Sequence, residues 1–251
     1  MNTDLKLDSN TNYNLVIDGP GLRNAFYAGV LKAFQEKNIA LPKTILTWSG
    51  GVPIAVAYLL GMDMEKILTW SKEAFPVGIV DPEKIQKMYW GFCDLIYAEN
   101  SPQQVAEKLK PLKMLATKTD GLEPHIFENF SGVREELLST MIASAGIPGI
   151  TQKFWNPMID GQFTLSAGKI VPEEIIVHGQ GGIPRLTLSV STRVGSAISL
   201  PDEHKVSEKV SGWKKLSSKW TLSYNPRKAQ ELYDAWYKSA LEYLSQLSYS
   251  L

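Results

Sequence analysis

The chain has 251 residues, 44% of them hydrophobic, enough for one sizeable buried core or two small ones. The 26 Lys and Arg residues balance 26 Asp and Glu, so no net charge points to nucleic acid as a partner. Cys93 is the only cysteine, which excludes a disulfide framework and a cysteine-based zinc site.

Met1 to Asn14 is polar and has no signal-peptide-like apolar centre. No later stretch reaches the roughly 18 uninterrupted apolar residues of a membrane span. The expectation is a soluble, cytoplasmic protein in a reducing compartment. In chain order, Tyr13 to Ile17 reads as a short strand, followed by the glycine-containing loop Asp18-Gly19-Pro20-Gly21-Leu22-Arg23-Asn24. Ala25 to Lys37 carries Phe26, Val30, Leu31 and Phe34 at helical spacing. Thr44 to Thr47 is a second strand, and Ser49-Gly50-Gly51 leads at once into a helix over Pro53 to Leu60. Met62 to Phe75 and Pro82 to Tyr97 read as amphipathic helices whose apolar spacing favours core packing over a lid. A shorter helix follows at Pro102 to Leu109.

Leu112 to Thr117 reads as a strand. His125, with Glu123 and Glu128, is expected on a loop and lacks metal-ligand spacing. Arg134 to Ala145 is a helix closed by Gly146 and Pro148. Arg185 to Ser191 alternates as a strand does. Pro226 to Leu247 is a long helix with Leu232, Trp236, Ala240, Tyr243 and Leu247 along one side. Repeated strand-loop-helix units predict an α/β fold with a mainly parallel central sheet flanked by helices. One domain is expected over residues 1–251, with a polar tail over 1–12 and a basic, aromatic segment plus final helix over 205–251.

Two loops carry candidate chemistry. A strand running through a tight Ser-Gly-Gly turn into a helix can hold a serine hydroxyl at the top of a sheet, with the helix N-terminus beneath it. The usual elbow is Gly-x-Ser-x-Gly, and Thr47 stands in place of the first glycine. The Gly19-x-Gly21-x-x-Asn24 loop has two functional readings. It approaches a dinucleotide-binding fingerprint, but the third glycine is Asn24 and the next strand ends in Thr47-Trp48-Ser49 without the expected acidic residue. Alternatively its backbone N–H groups form an oxyanion hole beside Ser49, with Arg23 fixing the loop or adding positive potential. A plain tight turn with a solvated arginine is the third possibility.

Asp18 to Asn24, with Gly29-Val30-Leu31 one helical turn on, resembles the Gly-Gly-Gly-x-Arg-Gly opening of the patatin-like phospholipases. Ser49 follows where that family keeps its nucleophile. Ile142-Ala143-Ser144-Ala145-Gly146-Ile147-Pro148-Gly149 resembles the family's Ala-Ser-x-Ala-x-Pro segment, and Asp160-Gly161 its Asp-Gly-Gly/Ala motif. The four motifs stand in register over Asn14 to Ser191. The resemblance implies a three-layer patatin-like fold and a lipid acyl hydrolase of phospholipase A type. Ser49 and Asp160 would form its Ser–Asp dyad, and Gly19, Gly21, Leu22, Arg23 and Gly50 its oxyanion and substrate-binding elements. No metal or other cofactor is implied.

This chain departs from the pattern at several positions. Pro20 removes a backbone N–H from the oxyanion loop, Asn24 replaces another glycine, and Thr47 and Trp48 replace the small residues before the serine. A Trp at that place would narrow or wall the acyl site. For the aspartate, one alignment takes a shorter hairpin in which Ile159-Asp160-Gly161 is the dyad segment and Asp160 the base, with Gln162 replacing a glycine. The other matches Asp160-Gly161 to the first pair of an Asp-Gly-x-x-Tyr-Val-Asp-Gly-Gly hairpin, so that Ser166 falls at the base position and the base is lost. Asp160 is the preferred base, because an Asp-Gly after a strand is what the chemistry needs.

A Ser-His-Asp hydrolase would draw on His178 or His204. Residues 205–228 hold seven basic side chains against the single acidic Glu208, interleaved with Trp213, Trp220 and Tyr224. Such a surface suits an anionic membrane interface, although a solvated loop with buried tryptophans is equally open. The expected partner is a lipid ester at a peripheral membrane surface, and not nucleic acid. The rival function is a catalytically impaired patatin-like protein that binds lipid or another protein. A nucleotide-binding α/β protein is the second rival.

Overall fold

The computed structural model describes residues 13–19, 21, 25–74, 82–148, 151–152, 157–168, 187–190 and 226–248. The elements are β1 (Asn14–Ile17), α1 (Ala25–Glu36), β2 (Thr44–Thr47), α2 (Val52–Leu59), α3 (Met64–Ala74), α4 (Pro82–Glu99) and α5 (Pro102–Lys108). After them come β3 (Leu112–Lys118), β4 (Pro124–Phe127), α6 (Arg134–Ser144), β5 (Met158–Asp160), α7 (Gln162–Ser166), β6 (Thr187–Val190) and α8 (Pro226–Ser248).

Among the described residues the sheet has six strands, in the order β4-β3-β2-β1-β6, with β5 also paired to β3. β6, β1, β2 and β3 run parallel, whereas β4 and β5 are antiparallel to β3. β1 and β2 are buried throughout, with an apolar residue on each side, as suits central parallel strands. On one face Leu15, Ile17, Ile45, Leu112 and Met114 join a contiguous core with the helices. On the other, Val16, Leu46, Trp48 and Leu115 form a smaller cluster against Ile126 and Leu165.

α2 reads Val-Pro-Ile-Ala-Val-Ala-Tyr-Leu and is buried on every side, because it has no polar face to turn toward water. Pro53 sits in its first turn, where a missing N–H is harmless. α5 opens on a reciprocal cap. Gln104 N–H donates to the Ser101 hydroxyl, and Ser101 N–H donates to the Gln104 side chain. No described helix is long and apolar enough to cross a membrane.

Three expectations change. His125 lies on strand β4, opposite Ala116, and not on a loop. Four residues that open with a proline and are half-buried throughout give no alternating pattern, yet an edge strand needs none. Asp160-Gly161 belongs to no hairpin: β5 ends at Asp160 and Gly161 leads directly into α7. In α8 the buried stripe is Ala229, Tyr233, Trp236, Ala240 and Leu244, while Leu232 and Tyr243 are only partly buried. His178, His204 and the basic, aromatic stretch 205–225 lie outside the described residues.

Candidate active site

β3 places the two candidate groups. Ala116 pairs with His125 of β4 on one edge and with Asp160 of β5 on the other. Lower on that second edge, Met114 pairs with Thr47 of β2. β5 therefore continues along β3 from the point where β2 stops, and Asp160 arrives beside the turn that follows Thr47.

That turn carries Ser49 at φ +54° in a short 3₁₀ segment, Ser49–Gly51. A non-glycine residue in this region is strained by roughly 1–2 kcal/mol, which is the backbone form of a nucleophile elbow. Gly51 N–H donates to Trp48 O over 3.1 Å, and Val52 N–H caps onto Ser49 O as α2 begins. The α2 N-terminus thus lies directly beneath Ser49.

Glycine is needed where the first loop meets this turn. A Cβ on Gly19 would stand 2.6 Å from Ser49 Cβ and 2.7 Å from Trp48 Cδ1. A Cβ on Gly50 would collide with the Gly21 carbonyl oxygen. Gly19 and Gly21 therefore lie against Ser49 and Gly50, as an oxyanion loop would. Pro20, Leu22, Arg23 and Asn24 lie outside the described residues.

The Ser49 hydroxyl lies near enough to the Asp160 carboxylate to lower its pKa, as a hydrogen-bond donor would, and Gln162 N–H donates to Asp160 Oδ1 over 2.8 Å. Asp160 is 2% exposed and Ser49 7%. Burial raises the Asp160 pKa to about 6, and the nearby Ser49 hydroxyl and the Gln162 N–H keep it from rising further. The carboxyl is thus ionised at neutral pH and still basic enough to take a proton. Tyr89, buried on α4, feels the Asp160 charge, which together with burial holds its hydroxyl protonated. Ser166 is exposed on α7, where its hydroxyl accepts from Gln162 Nε2 over 3.3 Å.

The segment after α6 grips both turns. Ser144, fully buried, donates its hydroxyl to Leu115 O over 2.7 Å and accepts Ser49 N–H over 3.3 Å. Asp160 N–H donates to Gly146 O over 2.8 Å, and Gly161 N–H to Ser144 O over 3.4 Å. Thr117 on β3 donates to Asp160 O over 2.9 Å and accepts Thr164 N–H over 3.0 Å, fixing β5 to the start of α7. The Ala-Ser-x-Ala pattern had marked this segment without revealing what Ser144 touches. Thr117 and Tyr89 carry no sequence signal: Thr117 meets the Asp160 carbonyl only through strand pairing, and Tyr89 feels the Asp160 charge only from its buried place on α4. Among the described residues, no three His, Cys, Asp or Glu side chains gather as metal ligands would.

No protein-family model matches the chain, and no curated protein does. Among solved structures it aligns with a chain of the heterodimeric ExoU–SpcU complex from the type III secretion system of Pseudomonas aeruginosa, at a TM-score of 0.45 and 12% identity. The alignment covers 97% of this chain and 52% of that one, so this chain spans about half the length of its match. The class shown is mixed α/β, a mostly parallel sheet flanked by helices.

Proposed function

We propose that this chain is a patatin-like serine acyl hydrolase that cleaves carboxylic esters of glycerophospholipids or related lipids. The observation that carries the reading is the placement of the buried Asp160 carboxylate beside Ser49, which stands on a strained turn above α2 and acts on that carboxylate as a hydrogen-bond donor would. In this mechanism Ser49 Oγ attacks the ester carbonyl carbon while Asp160 accepts its proton. The tetrahedral oxyanion is held by N–H groups of the loop carrying Gly19 and Gly21 and of the Gly50 turn, with Leu22 and Arg23 in the same loop. As the carbon–oxygen bond to the alcohol breaks, the Asp160 proton passes to the leaving oxygen and an acyl-Ser49 ester remains. Asp160 then takes a proton from water, whose hydroxide attacks the acyl carbon, and the proton returns to Ser49 as the fatty acid leaves. The dyad calls on neither a histidine nor a metal.

The lipid substrate rests on the motif resemblance, and the basic, aromatic residues 205–228 support a peripheral approach to an anionic membrane. The three-layer patatin arrangement as one domain belongs to the same reading. A fluorophosphonate probe tests it: the chain is expected to label, and Ser49→Ala to abolish labelling. A wild-type chain that takes no label ends the enzyme claim and favours the lipid- or protein-binding alternative. Release of fatty acid from phospholipid vesicles, compared with short soluble esters, then tests the substrate class.

A further inference from the structure

Two departures from the patatin-like pattern, Trp48 before the serine and Gln162 after Asp160-Gly161, stand 114 positions apart and meet in space. The Trp48 indole Nε1–H donates to Gln162 Oε1 over 3.2 Å. We propose that Trp48 and Gln162 form a positioning pair, a bridge that holds the Ser49 turn and the Asp160 turn in one register. The proposal rests on the reading of Ser49 and Asp160 as nucleophile and base.

Gln162 is attached to both sides of the site. Its backbone N–H holds the Asp160 carboxylate at 2.8 Å, and its side chain holds the residue next to Ser49. A glycine here would keep the first bond and lose the second. Trp48 is an effective anchor because it is 1% exposed and packs among Val16, Leu46 and Leu115. Its Cδ1 and Nε1 also lie flush against Gly19, where an added Cβ would stand 2.7 and 2.9 Å away. The indole is therefore confined on the loop side and bonded on the Asp160 side. Ser49 at φ +54° needs such restraint, since a non-glycine residue keeps that conformation only where its surroundings impose it. Ser144 restrains Ser49 through its N–H. The bridge restrains it through the preceding residue and, unlike Ser144, acts through side chains that neither touch the reacting groups nor belong to the family pattern.

Trp48→Phe keeps a ring and removes the donor, while Gln162→Met keeps the length and removes the acceptor without disturbing the buried indole. Time courses of fluorophosphonate labelling of the full chain, run above the Asp160 titration range, give the maximal rate and the probe concentration for half that rate. Each single variant is expected to lower the maximal rate about tenfold with the half-saturating concentration unchanged. The double variant should be no slower than the slower single, because one bridge can be lost only once. Ser166→Ala, which removes another partner of Gln162, should leave the rate unchanged. Multiplying losses in the double variant, or wild-type rates in both singles, overturn the proposal. If the wild-type chain does not label, the nucleophile reading has failed, and urea midpoints of the same proteins judge the bridge alone. Non-additive midpoint shifts then retain it as a link between the turns, and additive ones overturn it.

Discussion

The helix-covered face of the sheet and the carboxyl end of its strands are held by different physics. On the face, Leu15, Ile17, Ile45 and Met114 sink into a core shared with Phe34, Phe92, Trp236 and the wholly buried α2. That attraction has no preferred direction, and each side chain has many substitutes for any one neighbour. At the carboxyl end, a few directional bonds hold two turns together: Ser144 on Ser49 N–H, Gln162 N–H on Asp160, and Thr117 on the Asp160 carbonyl. The face should lose stability when damaged and leave the chemistry alone. The end should lose chemistry first, and stability little.

The sharpest contrast is at the end itself. Ser49→Ala and Asp160→Asn are each expected to lower fluorophosphonate labelling by at least about 10³-fold while the fold stays intact by circular dichroism. Trp236→Ala should act oppositely. This residue is fully buried and meets Tyr27 edge-on at a centroid distance of 5.7 Å. Truncation should cost about 3–5 kcal/mol in urea unfolding, with the labelling rate of the folded protein unchanged. A large fall in that rate would erase the distinction between the two regions.

A smaller effect is readable in pH. Asp160 has a folded pKa of about 6, raised by burial above the ordinary value of about 3.9 expected for the unfolded chain. Between those values the folded state binds more protons, so its stability falls as pH rises from about 4 through 6. Above that window the buried charge costs about 3 kcal/mol, and Asp160→Asn should recover up to that amount. The gain should vanish near pH 4, and an equal gain there would assign it to packing instead of charge. In the wild-type chain the labelling rate should rise with pH through the same titration, near 6. The smallest expected effect is Ser144→Ala, about 1–2 kcal/mol of stability from the Leu115 and Ser49 contacts. It should also slow labelling several-fold, which a loss confined to the core would not do.

What could be read from the chain divides along the same line. The main helices and the four parallel strands announce themselves by local periodicity and end within a few residues of where spacing, glycine and proline place them. Ser49 was visible because a strand, a Ser-Gly-Gly turn and an apolar helix are consecutive. Of the α8 stripe, Trp236 and Ala240 are buried as their spacing predicts, whereas Leu232 and Tyr243 lie beside the buried Tyr233 and Leu244. Leu232, Tyr237, Leu241 and Tyr243 are also apolar and flank the true line, so the sequence shows a broad band. Its centre is set by the close approach of α1 at Gly29, against the Tyr233 carbonyl. That Asp160, and not Ser166, lies beside the Ser49 turn is beyond any local pattern, because it depends on β5 continuing along β3 from the end of β2. His125 on β4 was missed for a related reason: an edge strand owes its existence to the partner it pairs with.

The order of the elements has a consequence in time. The turn with Trp48 and Ser49 and the turn with Asp160 and Gln162 are separated by more than a hundred residues, 114 between the bridged pair. At synthesis rates of about 5–20 residues per second, the serine leaves the ribosome roughly ten seconds before its carboxylate. An unfinished chain would carry the proposed nucleophile without the proposed base. In the proposed hydrolase, activity toward lipid esters would begin only when β5 docks on β3.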